Sequence, residues 1–329
     1  MLLNNFYCND KAKQTLVNFI TDGRLPHTIL LEGEDGCGKT TFAKMIAAAV
    51  LCQQERANRP CGACRNCRLI LSDMHPDVEI VSSDNKANAF HIDQIREIRS
   101  TAYIRPNDGE YKVYILRNIH NMTEQAQNAL LKIIEEPPAQ VVFIMTCNNR
   151  ARILQTILSR AAVIPISVCT SQECAKALET LADASVTAEQ REEAAHLSQG
   201  NIGKALELLR DEKKLQLACS ARHVAEIICA GQEFELLCCL QEYTGNKKRE
   251  EFLQYLQEIR SYFWELIRFK NAVPGNYSDI PMQVKNRLTT LQAMQILDII
   301  DKATWQVSQN VSLTLVAAAF CAAVKSISE

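Results

Sequence analysis

Hydrophobic spacing changes repeatedly between the amino terminus and Ile166. Within Lys11–Asp22, Ala12, Leu16, Phe19 and Ile20 recur at helical intervals, and Gly23 follows as a stop. Thr28–Leu31 is a short apolar run that predicts a strand, and the alanine-rich Thr40–Leu51 predicts a helix. Val78–Val81 predicts a second strand, and His91–Ala102, with Ile92, Ile95 and Ile98, a further helix. Val113–Leu116 and Val141–Met145 are two more strand candidates. Between them Glu124–Glu136 predicts a helix ended by Pro137-Pro138. This alternation predicts a parallel sheet covered by helices on both faces. After Ile166 strand signals vanish. A small helical unit is expected over 171–210 and a larger one from about 213 to the end. In the larger unit Phe252, Leu256, Ile259, Phe263 and Leu266 form one apolar stripe, as a bundle core requires.

Composition narrows the picture. A chain of 329 residues suggests two or three domains, and 47% hydrophobic with 22% charged residues is ordinary for a globular protein. A net charge of −2 removes any global basic signature for nucleic acid, though not a local basic face. The opening MLLNNFYCNDKAK has no basic, apolar signal pattern. The longest uncharged apolar run, around Leu313–Val324, falls short of the ~20 residues a membrane span needs. A cytoplasmic protein without a membrane partner is therefore expected, and its fourteen cysteines predict thiols or metal rather than disulfides.

The stretch LLEGEDGCGKTTFAKM places Gly33, Gly38, Lys39 and Thr40 in the spacing G-x-x-x-x-G-K-T, after an expected strand and opening an expected helix. Gly33, Gly36 and Gly38 let backbone N–H groups converge on phosphate oxygens, and the helix amino terminus adds partial positive charge. Lys39 would reach the terminal phosphates, the Thr40 hydroxyl would ligate magnesium, and Thr41 completes the loop. ATP or ADP with Mg is the implied ligand.

Cys52, Cys61, Cys64 and Cys67 are spaced C-x8-C-x2-C-x2-C. That pattern gathers four thiolates around one small ion, and four protein ligands with no open position predict structural zinc. The alternative is four reduced thiols on a loop. Cys238-Cys239, within a helical stretch, reads as packing.

Taken together these residues resemble the clamp-loader branch of the AAA+ ATPases. The four-cysteine insert after the phosphate-loop helix is one pointer. MTEQAQNALLKIIEEPP (Met122–Pro138) is similar to the family's N-A-L-L-K-x-x-E-E-P-P helix, and TILSR (Thr156–Arg160) to its Ser-Arg-Cys element, with Ala161 in the cysteine's place. The resemblance covers most of residues 1–210. It implies an AAA+ α/β domain over 1–167 with a zinc module at 52–67, a helical lid over 168–211, and an all-α collar over 212–329. Among bacterial DNA polymerase III subunits the pattern is most similar to the delta-prime type. It implies a hetero-oligomer with gamma/tau and delta subunits, which places the sliding clamp on primed DNA.

Two departures set this chain apart from the active gamma/tau type. That type carries Asp-Glu after the third strand, where this sequence has Arg117-Asn118. Without those carboxylates, magnesium loses an anchor and the attacking water its base. The active type also has a nucleotide-sensing arginine where GNIGKALELL (Gly200–Leu209) has Gly203; Lys204 lies ~100° round the helix. Asp108, Glu110 or Glu124 would have to replace the lost acid, yet none lies at the strand's end. Independent catalysis is not expected. The resemblance instead gives Arg160 a role in trans, as an arginine finger on a neighbouring subunit's ATP; a plain surface arginine is the alternative. Arg96 and Arg99 form a basic face opposite Ile92, Ile95 and Ile98, suited to a DNA backbone or simply to water. Glu135-Glu136, at a helix carboxyl end where negative charge opposes the dipole, suggest an interface or a loop-anchoring role. The rival readings are an active gamma/tau-type ATPase and a nucleotide-sensing module outside replication.

Overall fold

The computed structural model describes residues 2–82, 92–244, 248–272 and 282–328. His91 and the side chain of Ile92, part of one expected helix, lie outside the described set. In chain order the elements of the first part are α1 (Asp10–Thr21), β1 (Thr28–Glu32), α2 (Lys39–Leu51), α3 (Arg65–Leu71), β2 (Val78–Ser82), α4 (Ile92–Ala102), β3 (Lys112–Arg117), α5 (Glu124–Glu135), β4 (Val141–Cys147), α6 (Gln155–Leu158), β5 (Ala162–Pro165) and α7 (Ser171–Leu181). The rest is helical: α8 (Ala188–Leu197), α9 (Ile202–Arg210), α10 (Glu212–Ala230), α11 (Glu233–Gln241), α12 (Arg249–Lys270), α13 (Met282–Arg287), α14 (Thr290–Ser308) and α15 (Leu313–Ser328).

The five strands are all parallel, in the order β2-β3-β4-β1-β5. Successive side chains point to opposite faces, and the core divides accordingly. Ile29, Leu31, Val113, Ile115, Val142 and Ile144 pack with Leu16, Phe42, Ile46 and Ile70 from α1, α2 and α3. Leu30, Tyr114, Leu116, Phe143 and Met145 pack with Ile95, Leu130 and Ile157 from α4, α5 and α6. A sheet buried on both faces explains the continuous apolar runs of its strands.

β5 is the strand the periodicity did not predict. It is four residues long, ends on Pro165 and pairs only with β1, as suits an edge position.

The described residues form two compact units: residues up to Thr180 together with Gly200–Lys204, and Leu181–Gln199 together with Ala205 onward. In the second, α12 packs against α10 and α14, while α15 packs against α14 and α11. Phe252, Leu256, Ile259, Phe263 and Leu266 are all fully buried there. Cys239 packs against this core but Cys238 is exposed, so the packing reading holds for one of the pair. Among the described residues no helix is long and apolar enough to cross a membrane.

Candidate functional site

The phosphate loop leaves β1 at Glu32 and enters α2 at Lys39. Gly36 and Gly38 take left-handed backbones, φ 87° and 94°, which glycine adopts at no steric cost. Lys39 is buried, and its ammonium donates to the Gly33 carbonyl (2.7 Å), the Glu34 carbonyl (2.7 Å) and Asp35 Oδ1 (3.3 Å). An ammonium has three donors, so Lys39 is saturated by its own loop. The other Asp35 oxygen accepts from Asn148 Nδ2 (3.0 Å), just beyond β4. Thr40 is half-buried and Thr41 exposed.

Two further segments close on the loop. Gly203 N–H donates to the Gly36 carbonyl (3.0 Å), and Asn201 Nδ2 to the Asp35 carbonyl (2.8 Å). Asn201 Oδ1 also caps the start of α9 by accepting from Lys204 N–H (3.1 Å). A Cβ at position 203 would lie 2.6 Å from the Gly36 oxygen and 2.7 Å from its Cα. The glycine is therefore what lets α9 approach the loop. Lys204 points out to solvent. From the amino-terminal side, Phe6 leans on Gly38 and on the Phe42 ring, centroids 4.8 Å apart.

Register fixes where the substituted acid positions lie. Leu116 pairs with Met145, and Met145 with Leu30. Arg117 and Asn118 thus end β3 level with the last residues of β1, where the phosphate loop begins. Asn118 has a left-handed backbone (φ 57°) and donates its N–H to Thr146 Oγ1 (2.9 Å). Asp108 and Glu110 precede β3, at the end of the strand away from Arg117, and Asp108 pairs with Arg65 (2.7 Å). Glu124 is exposed at the start of α5. None replaces the lost carboxylates. His120 is buried near the loop, with Nδ1 accepting from Asn148 N–H (3.4 Å). Burial lowers its pKa below 6.5 and Asp35 only partly offsets this, which keeps the ring neutral.

Arg160 occupies a different place. Ala162 pairs with Ile29 near the start of β1, so Arg160, two residues before Ala162, sits beyond the amino-terminal end of β5, the end opposite its own phosphate loop. It is 40% exposed and pairs with Glu135 Oε1 (3.1 Å) at the end of α5, with its other amine on the Thr156 carbonyl (3.1 Å). That pairing accounts for the acidic residue at the helix end. Arg96 and Arg99 are exposed while Ile95 and Ile98 are buried, and Arg96 pairs with Asp93 of its own helix (2.8 Å).

The cysteine cluster sits beyond α2. The sulfurs of Cys52, Cys61, Cys64 and Cys67 all lie within 4.8 Å of one another, with Cys52–Cys64 at 4.0 Å and Cys61–Cys67 at 3.9 Å. Four thiolates at ~2.3 Å from a tetrahedral zinc stand ~3.8 Å apart, so the set fits that ion. Ala63 and Cys64 N–H groups donate to Cys61 Sγ, and Cys67 N–H to Cys64 Sγ. Burial works against ionisation of Cys61, but these N–H donors outweigh it and bring the thiol to about 6.

One expectation fails. Cys8 and Cys169 form a disulfide, while twelve other cysteines are free. The prediction of thiols or metal rather than disulfides rested on compartment and spacing. Neither reports that these two residues, 161 positions apart, meet in the fold.

The geometry can be set against known proteins. A protein-family profile described as DNA polymerase III, delta subunit, matches residues 8–170. The gamma/tau subunit of DNA polymerase III from Mycobacterium tuberculosis is 36% identical over 143 residues, covering 44% of this chain and 25% of that protein. The delta' subunit from Yersinia pestis is 32% identical over 145 residues, covering 44% of this chain and 43% of that protein. The chain thus spans less than half the length of either. A gamma subunit-related protein from Thermotoga maritima, solved by crystallography, aligns with TM-score 0.48 at 18% identity, over 96% of this chain and 99% of that one.

Proposed function

We propose that this chain, whose residues 8–170 match the DNA polymerase III delta-subunit profile and which is similar to gamma/tau and delta' subunits, serves in the clamp loader as a delta-prime-type subunit. The observation that carries this reading is Arg117-Asn118 at the end of β3, level with the phosphate loop, where the active type carries Asp-Glu. At those two positions neither residue can anchor magnesium or serve an attacking water as a base. Lys39 adds to the case: it must give up Asp35 and two carbonyls before it can meet a phosphate. The loop therefore holds ATP or ADP weakly and turns it over poorly.

In this reading the chain acts through Arg160. Its place beyond the end of β5 opposite its own loop, exposed and steadied by Glu135, suits a guanidinium that works on a neighbouring subunit's ATP. An arginine finger of this kind is worth ~10³–10⁵ in rate. The α/β part over 1–167, a helical lid over 168–211 and a collar over 212–329 would divide the labour, the collar joining this chain to gamma/tau and delta subunits in a cytoplasmic ring. That ring acts on the sliding clamp and primed DNA. Cys52, Cys61, Cys64 and Cys67 would hold one zinc ion, which supplies a closed structural cross-link.

The greater identity to a gamma/tau subunit keeps one rival alive, an active ATPase. Steady-state ATP hydrolysis separates the two. The isolated chain is expected to show background turnover, and Arg160→Ala to leave it folded while slowing the ATPase subunit of the reassembled complex at least tenfold, a floor well below the ~10³–10⁵ such fingers supply. An unchanged partner rate would remove the finger. Turnover by the isolated chain that Lys39→Ala abolishes would reassign it to the gamma/tau type.

A further inference from the structure

The phosphate loop, the disulfide and the amino-terminal segment share one set of contacts. Gly200 lies so close to Cys169 that a Cβ there would strike the Cys169 carbonyl oxygen, and Cys169 N–H donates to the Gly200 carbonyl (3.2 Å). One and three residues on, Asn201 and Gly203 close over Asp35 and Gly36. On the other side of the bond, Cys8 follows the Phe6 that leans on Gly38. Asn9 exchanges two hydrogen bonds with the Ser167 backbone (2.8 and 2.9 Å), and the Tyr7 hydroxyl bonds Thr180. Cys8 itself takes a left-handed backbone, φ 58°, uncommon for a residue with a side chain. The Cys8–Cys169 bond therefore ties together the two segments that touch the phosphate loop, one at Gly38 and the other at Asp35 and Gly36.

We infer that Cys8–Cys169 is a reversible thiol modification site that latches residues 200–204 over the phosphate loop, so that nucleotide enters readily only when the bond is reduced. The reading rests on the loop being a nucleotide-binding loop, as proposed above. A chain that keeps eight further cysteines as free thiols, outside both this bond and the four-cysteine cluster, is suited to a reducing compartment, where a disulfide is transient and redox-sensing. Cys8 is half-buried and Cys169 buried, so exchange begins at Cys8. A dithiol's thiolate attacks Cys8 Sγ and the Cys169 thiolate leaves. The dithiol's second sulfur then displaces Cys8, the dithiol ends as a cyclic disulfide, and its two protons end on the two protein thiols. A low-molecular-weight disulfide, reduced to two thiols, runs the reaction in reverse.

The test uses the full chain in three forms: oxidised, reduced with a dithiol, and Cys8→Ser. The last separates the latch from effects of reductant on the four-cysteine cluster. Two quantities are read, hydrogen exchange over residues 198–206 and affinity for a fluorescent ADP analogue. Exchange is expected to rise in the reduced and Cys8→Ser chains, with affinity about tenfold tighter, inside the roughly 5–150-fold range of typical couplings. Gly203→Ala, which pushes α9 off Gly36, should match the reduced chain even when oxidised. Equal exchange in all three forms would overturn the latch, whatever the nucleotide does. So would mass spectrometry finding both thiols free in a disulfide buffer. Faster exchange on reduction, with no analogue bound in any form and Lys39→Ala indistinguishable, would uphold the latch and overturn nucleotide binding instead.

Discussion

Asp77, fully buried before β2, accepts hydrogen bonds from Asn107 N–H (2.5 Å), Asn107 Nδ2 (3.1 Å), Asp108 N–H (2.8 Å) and Gly109 N–H (3.0 Å). Burial works to raise its pKa, but these donors outweigh it and hold the carboxyl below its ordinary 3.8. A carboxylate whose folded pKa is depressed stabilises above its unfolded pKa and loses that contribution as pH falls through the folded one. Asp77→Asn is expected to cost ~1–3 kcal/mol at neutral pH, the scale for stranding buried donors. Denaturant melts at several pH values check this: the gap between wild type and variant should close below about pH 4. A gap independent of pH would remove the charge from the account. Lys39 and Asp35 illustrate a different residue-scale point. The lysine was legible from the loop's spacing, and the acid stood in plain view two residues after Gly33, yet only the structure shows the two engaged with each other.

Among the elements, α3 carries the last residue of the cysteine cluster and is tied to the α4–β3 loop through Arg65–Asp108 (2.7 Å). A metal here would brace two connections at once. Zinc content is expected at one ion per chain, and chelation or Cys64→Ser should lower the melting transition of the α/β unit, because binding energy at a structural site is folding energy. Metal-free protein with unaltered melting would mean four thiols and no more. Strands β1 to β4 and the helices α1, α2, α4 and α5 were readable because each is long enough for its period to show. β5 was not: four residues hold too few repeats, and proline argues against a strand. The phosphate loop and the four cysteines were readable for the same local reason, as fixed spacings. The partners that complete the site were not. Asn201 reaches Asp35 across 166 positions, and no periodicity records a pairing made only when the chain closes on itself.

At the scale of the whole molecule, two units with separate cores predict two transitions. Phe263 is fully buried in the helical core, and Phe263→Ala should cost ~3–5 kcal/mol there while leaving the α/β transition in place. Calorimetry showing one merged transition, shifted as a whole, would mean the units melt together. The same parallel sheet has an outer boundary, and Pro165 stands on it. Ile166 N–H bonds inward to the Glu32 carbonyl (2.7 Å), so position 165 faces away from the sheet, and proline offers no donor there. Pro165→Val would turn the exposed border into Ala-Val-Ile-Val-Ile, a short, uncharged, β-branched run with a free N–H. Concentrated solutions of that variant should scatter light and bind amyloid dyes before any loss of fold, whereas the native border, blunted by one ring, keeps neighbouring molecules from adding themselves as a sixth strand.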